Sequence, residues 1–219
     1  MVAIDYSTLR DNMVEGQIRT ADVTAIPVIE AFRAVPRERF VPESQRPFAY
    51  IDEDVAIGSG RYLMEPAPLA KLIQLAEIRP ENRVLEIGAA SGYAAALLSR
   101  LASTVVALES DAGLAATARE NLAALGCDNV ELVEAPLAAG HAAGAPYDVI
   151  LITGAVDFVP EPLFYQLAEG GRLVTVVGRG NVAMATRWTR AADGLSTWRA
   201  FNAAVMPLAE FEREPSFEF

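Results

Sequence analysis

The chain has 219 residues, with 29 acidic against 18 basic side chains, a formal charge of −11 and 52% apolar residues. That length and apolar content suit one sizeable packed core and argue against a disordered chain. The acidic surplus carries no Lys/Arg cluster, which argues against a nucleic-acid groove, and no apolar run approaches a bilayer's thickness, so no membrane partner is expected. Residues 1–7 lack a basic stretch followed by an apolar one, so no secretory signal is expected. Cys127 is the single cysteine, which excludes an internal disulfide and fits a reducing cytoplasm.

Residues 1–80 read as helices and irregular links forming an N-terminal extension. Thr24 is a candidate cap for a helix reaching Ala34, with Ile26, Ile29 and Phe32 on one face. Pro36 stops it, and residues 50–60 are acidic and turn-rich. Pro66 opens a second helix to about Glu77, whose apolar positions are Leu69, Leu72, Ile73 and Ala76.

From Arg83 onward strands and helices alternate. Strands are predicted at 83–87, 104–109, 130–133, 147–153 and 172–177, with helices from the turn after Gly88 to about Leu101, over 112–125, and after Pro160. Continuous apolar strands between helices mean a parallel sheet covered on both faces, in an α/β core spanning 81–180. Residues 181–219 hold two further strand-like runs astride Asp193-Gly194, a hairpin signal. Cross-strand packing is expected of Trp188 and Trp198, and the whole chain reads as a single domain.

Ligands of doubly wound sheets bind at the carboxyl ends of the strands, near the point where strand order reverses. There the sequence reads Glu86-Ile87-Gly88-Ala89-Ala90-Ser91-Gly92, followed after the second strand by Glu109, about 20 residues beyond the first glycine. Gly88 and Gly92 allow close backbone approach to a ligand, and the carboxylate of Glu109 can accept hydrogen bonds from both ribose hydroxyls. The spacing G-x-x-x-G is not the dinucleotide fingerprint, and Glu86 suits a cationic ligand better than a diphosphate. No His/Cys/carboxylate cluster has metal-ligand spacing, so no metal is expected.

These residues resemble the protein-L-isoaspartate (D-aspartate) O-methyltransferase family, and the resemblance covers nearly the whole chain. Gln17-Ile18-Arg19, Val35-Pro36-Arg37-Glu38, Phe40-Val41-Pro42, Ala49-Tyr50 and Ile57-Gly58 resemble its N-terminal signature. Residues 83–88 with Ser91-Gly92-Tyr93 resemble its cofactor motif, Ile152-Thr153 its fourth-strand motif, and Gly170-Gly171-Arg172 and Met206-Pro207-Leu208 its later points. The resemblance implies a class I S-adenosylmethionine-dependent methyltransferase, with a Rossmann-like, mostly parallel doubly wound sheet. Glu86, Gly88, Ala89, Ala90, Ser91, Gly92, Glu109, Ala135, Pro136 and Thr153 would then hold the S-adenosyl-L-methionine. It implies methylation of the carboxylate of isoaspartyl or D-aspartyl residues in damaged proteins, a repair reaction, with a peptide or protein as acceptor.

Three departures from the family pattern stand out. The substrate loop is Gly60-Arg61-Tyr62-Leu63-Met64-Glu65-Pro66, so Met64 holds the position of the family's serine, with Arg61 and Tyr62 as candidate replacements. Ala90 replaces a loop glycine, and Ala135-Pro136 stand where the family's Asp-Gly faces the adenine. Two other functions remain open at this point: a cofactor-binding relative with an altered acceptor or no catalysis, and a dehydrogenase-like nucleotide binder, which the glycine spacing disfavours.

Overall fold

The computed structural model describes residues 4–213, so the reading of the first seven residues falls partly outside it. Helix α1 (Tyr6–Met13) starts at Asp5, whose carboxylate accepts from the backbone N–H groups of Ser7 and Thr8, and runs into a π turn over Val14–Ile18. Helix α2 (Ile26–Ala34) is not capped by Thr24. The N–H groups of Thr24 and Ala25 instead donate to the side-chain oxygen of Gln74, at 2.8 and 2.9 Å. Ile26, at the open end of α2, is 61% exposed, whereas Val28, Ile29, Ala31 and Phe32 are buried, so the apolar stripe is turned away from the predicted first position.

The turn-rich link hides a hairpin, β1 (Val55–Gly58) and β2 (Arg61–Leu63), paired antiparallel as a separate two-stranded sheet. Its turn takes three successive positive φ angles, at Gly58 (103°), Ser59 (51°) and Gly60 (68°), which two glycines make accessible. Helix α3 (Pro66–Leu75) opens on Pro66 and buries Leu69, Leu72 and Ile73 as predicted, with Ala76 buried just beyond it.

The main sheet uses β3 (Arg83–Ile87), β4 (Thr104–Glu109), β5 (Val130–Glu134), β6 (Tyr147–Val156), β7 (Leu167–Val177), β8 (Met184–Ala191) and β9 (Gly194–Asn202). Their order is β5-β4-β3-β6-β7-β8-β9, parallel as far as β7 and antiparallel in the last two pairings. Helices α4 (Tyr93–Leu98), α5 (Ala112–Ala124) and α6 (Glu161–Tyr165) fall in the connections, α4 ending short of the predicted boundary. Among the described residues no helix is long and apolar enough to cross a membrane.

Alternation along each strand builds two cores, one on each face of the sheet. Val84, Val105, Ala107, Val149 and Leu151 enter the core under the N-terminal helices and α4; Leu85, Ile87, Val106, Leu108, Ile150 and Ile152 enter the other. In the C-terminal hairpin Trp188 pairs with Thr197 and Trp198 with Arg187, so the two tryptophans do not face one another. Trp188 packs against Phe164 with ring centroids 5.7 Å apart, whereas Trp198 is 56% exposed.

Candidate active site

Sequence spacing decides which side chains meet. Glu86 lies two positions from Val84, Glu109 two from Ala107 and Thr153 two from Leu151, so all three belong to one face of the sheet. They stand at the carboxyl ends of β3, β4 and β6, where β4 and β6 leave β3 on opposite sides and the winding reverses.

Glu109 is fully buried and its carboxylate is held by four donors. Oε1 accepts from Arg61 Nη1 at 2.7 Å and from the N–H groups of Ser110 (2.9 Å) and Asp111 (3.0 Å); Oε2 accepts from the N–H of Ala90 at 2.6 Å. Glu86 is as deeply buried, yet neither of its oxygens has a partner. Burial, reinforced by the charge of Glu109 and opposed by Arg61, pushes its carboxyl up to about 8. A buried carboxyl without partners is a costly group to keep, and a cationic ligand group would satisfy it.

The glycine loop divides its labour. Gly88 (φ 92°) faces the site: a Cβ there would lie 3.0 Å from Arg61 Nη2, 3.2 Å from Leu208 and 3.3 Å from the hydroxyl of Thr153. That hydroxyl donates to the Gly88 carbonyl at 2.8 Å, pinning the loop to β6. Ala90 takes φ 53°, a left-handed conformation that costs an alanine about 1–2 kcal/mol. Ala89 is buried beside it, and its N–H, like that of Gly88, donates to the Leu108 carbonyl. Gly92 and Ser91 turn elsewhere. A Cβ on Gly92 would meet Ala118 of α5 at 3.2 Å, and Ser91 Oγ donates to the Phe40 carbonyl at 2.6 Å. Both side-chain positions therefore serve packing of the loop against its neighbours.

After β5, the N–H of Ala135 donates to the Glu109 carbonyl at 3.1 Å. Of residues 135–137 it is Leu137 that lines a cavity of about 270 Å³, with Ser59, Arg61, Ser110, Asp111, Leu208 and Glu210. Glu210 accepts the Leu137 N–H at 2.8 Å.

The hairpin β1–β2 covers the strand ends. Tyr62, Met64 and Thr153 line both a small cavity reaching Glu86, Gly88, Ala89 and Ala90 and an adjoining mouth that also touches Asp54, Arg61, Met206 and Leu208. Arg37, in the family-like N-terminal motif, fastens the hairpin's base. It is fully buried, donating through Nε to the Ala49 carbonyl (2.6 Å) and through Nη2 to the Met64 carbonyl (2.8 Å), and its guanidinium lies 5.0 Å from the ring centre of Tyr93. Asp54 was not a candidate by sequence; its Oδ1 accepts the Glu65 N–H at 2.8 Å. Burial and the nearby charges of Asp52 and Asp54, opposed by Arg37, push the Glu65 carboxyl up to about 7.

Two acidic strand ends on one face, one of them without partners and neither beside a diphosphate-type loop, fit a ligand that joins a ribose to a cation. With the reversal at β3, they define a class I S-adenosylmethionine-dependent methyltransferase. The chain belongs to the protein-L-isoaspartate(D-aspartate) O-methyltransferase family, whose family model matches residues 8–212. It is 44% identical over 169 residues to the protein-L-isoaspartate O-methyltransferase of Methanoculleus marisnigri, covering 77% of each chain. It is 38% identical to that of Roseiflexus castenholzii, covering 94% of each. Among solved structures, a protein-L-isoaspartate O-methyltransferase superposes with a TM-score of 0.77 at 26% identity, covering 94% of this chain and 66% of that one. The methyl donor is S-adenosylmethionine, and the dehydrogenase-like alternative falls.

Proposed function

We propose that this methyltransferase acts on the carboxylate of isoaspartyl or D-aspartyl residues in damaged proteins, as a repair enzyme of the cytoplasm. Its lone cysteine suits that compartment. Glu86 would face the ammonium of S-adenosylmethionine, Glu109 its ribose hydroxyls, and Gly88 would let the backbone come close to it. The cavity beside Leu137 offers apolar contact for the adenine.

Bound S-adenosylmethionine supplies an electrophilic methyl group on a sulfonium. The chain's own residues do the rest by placement. A carboxylate is ionised at neutral pH and is itself the nucleophile, so no general base is needed. Tyr62, Met64 and Met206 enclose the mouth with aromatic and thioether surface, excluding water and fixing the acceptor's approach. The observation that carries this reading is the shared wall. Tyr62, Met64 and Thr153 border both the cavity holding Glu86 and the mouth, so an acceptor in the mouth adjoins the cofactor cavity directly.

The test is methyl transfer from labelled S-adenosylmethionine to an isoaspartyl peptide, with the normal aspartyl peptide as control. Labelling of the first alone is expected. Failure to label either, by protein that still binds S-adenosylhomocysteine, would refute the acceptor assignment.

A further inference from the structure

We propose that Arg61 recognises the acceptor's carboxylate, and that it becomes free to do so only when the cofactor's ribose displaces it from Glu109. This rests on the cofactor reading above and adds an order of binding and an acceptor-positioning residue.

The geometry begins with the four donors on Glu109. Three are backbone N–H groups, of Ala90, Ser110 and Asp111, and are fixed by the fold. The fourth, Arg61 Nη1 at 2.7 Å, sits on a side chain with four rotatable bonds at the start of β2. A carboxylate offers about four lone-pair positions, so ribose hydroxyls and the guanidinium compete for the same oxygens. Arg61 Nη2 also lies 3.0 Å from where a Cβ on Gly88 would stand, at the face the loop glycine keeps open.

Charge points the same way. Glu86 and Glu109 are fully buried and Arg61 is only 12% exposed in its side chain. Removing the guanidinium alone would leave a buried negative charge uncompensated, which is strongly unfavourable. A ligand that places its ribose hydroxyls on Glu109 and its ammonium beside Glu86 supplies both the donors and a cation to the carboxylates that the guanidinium leaves.

Arg61 has a destination. Its side chain lines the mouth with Asp54, Tyr62, Met64 and Met206 as well as the cavity beside Ser110 and Asp111. Among the described residues lining that mouth it is the cation, and the planar guanidinium fork matches a carboxylate bidentately. Met64 presents a thioether to the same mouth, and a thioether is a poor hydrogen-bond partner. Arg61 supplies the donors that Met64 cannot.

The test uses calorimetry with S-adenosylhomocysteine, which cannot transfer a methyl group, and an isoaspartyl peptide. Each is titrated into wild type and Arg61→Ala, alone and with the other saturating. In wild type, S-adenosylhomocysteine should tighten peptide binding at least tenfold, and the peptide should tighten S-adenosylhomocysteine by the same factor. Arg61→Ala should bind S-adenosylhomocysteine several-fold more tightly than wild type, and should bind the peptide weakly whether or not the nucleoside is present. Arg61→Gln keeps donors without charge and should lose the coupling likewise. If wild type binds no S-adenosylhomocysteine, the cofactor reading fails and this proposal with it. If wild type binds it, and Arg61→Ala binds it no more tightly or keeps the coupling, the cofactor reading stands and the proposal alone is overturned.

Discussion

Replacing Glu86 by glutamine isolates the charge of a buried group with almost no change of shape. Glu86 is fully buried, both oxygens lack partners, and burial with the Glu109 charge raises its carboxyl from 4.5 to about 8. The folded chain therefore holds a proton between those two values that the unfolded chain has released. Stability is greatest at and below pH 4.5 as far as this group is concerned, and falls as pH rises through the window to 8. At roughly 1.4 kcal/mol per pH unit the loss reaches about 5 kcal/mol by pH 8, an upper figure for one group. Glu86→Gln does not titrate. In urea unfolding the two proteins should lie close together at pH 5, and the variant should be more stable by several kcal/mol at pH 8.5. A stability difference that stays constant with pH would refute the reasoning. The same proton reports on the ligand. At pH 7 most chains carry it, so a cation placed beside Glu86 should expel a large fraction of a proton on binding. Calorimetry of S-adenosylhomocysteine in buffers of different ionisation enthalpy measures that fraction. Release should vanish in Glu86→Gln and affinity should fall; unchanged release and affinity would remove Glu86 from the site.

Glu65, raised to about 7 by burial and by Asp52 and Asp54, is mostly charged at pH 8 and mostly neutral at pH 6. KM for an isoaspartyl peptide should therefore fall on acidification across that range, and Glu65→Gln should flatten the dependence in steady-state kinetics. Arg37→Ala removes two charge-assisted bonds to the Ala49 and Met64 carbonyls, for a cost of about 3 kcal/mol or more. Arg37→Lys should recover less than half of it, because a compact ammonium lacks the planar fork whose Nε and Nη2 each reach one of the carbonyls; urea midpoints check both, and a cost below about 1 kcal/mol for the alanine variant would contradict the clamp.

How far the sequence could be read follows from the kind of signal each feature leaves. Strands β3 and β4 carry apolar side chains on both faces because both faces of the sheet are covered, and their bounds match the expectation. Glu86 and Glu109 were legible because each is a carboxylate interrupting or ending such a run. The hairpin β1–β2 was not, since strands of four and three residues are too short for alternation to register. Gly92 and Ser91 show another limit. Glycine spacing marks a loop but not which neighbour each residue faces, and these two face α5 and Phe40. Arg37 is visible as part of a motif, yet its partners are backbone carbonyls at 49 and 64, which leave no mark in residue types.

Two of the departing residues, Ala90 and Arg61, are linked through Glu109. Ala90 holds a left-handed conformation that a glycine would adopt freely, but its N–H donates to Glu109 Oε2 at 2.6 Å. A bond to a charged acceptor contributes about 1.5–3 kcal/mol, which offsets the 1–2 kcal/mol of backbone strain, so the loop keeps its shape with alanine in place. Arg61 bonds to the other oxygen of the same carboxylate. Met64, in the same loop as Arg61, is tolerated for a different reason. The hairpin is fastened through the carbonyl of residue 64, not through its side chain, so the fold places no demand on a hydroxyl there. On the same hairpin, Arg61 reaches both the mouth and Glu109. The hairpin therefore holds Met64 by its backbone and Arg61 by its side chain, as the proposed role of Arg61 in acceptor recognition requires.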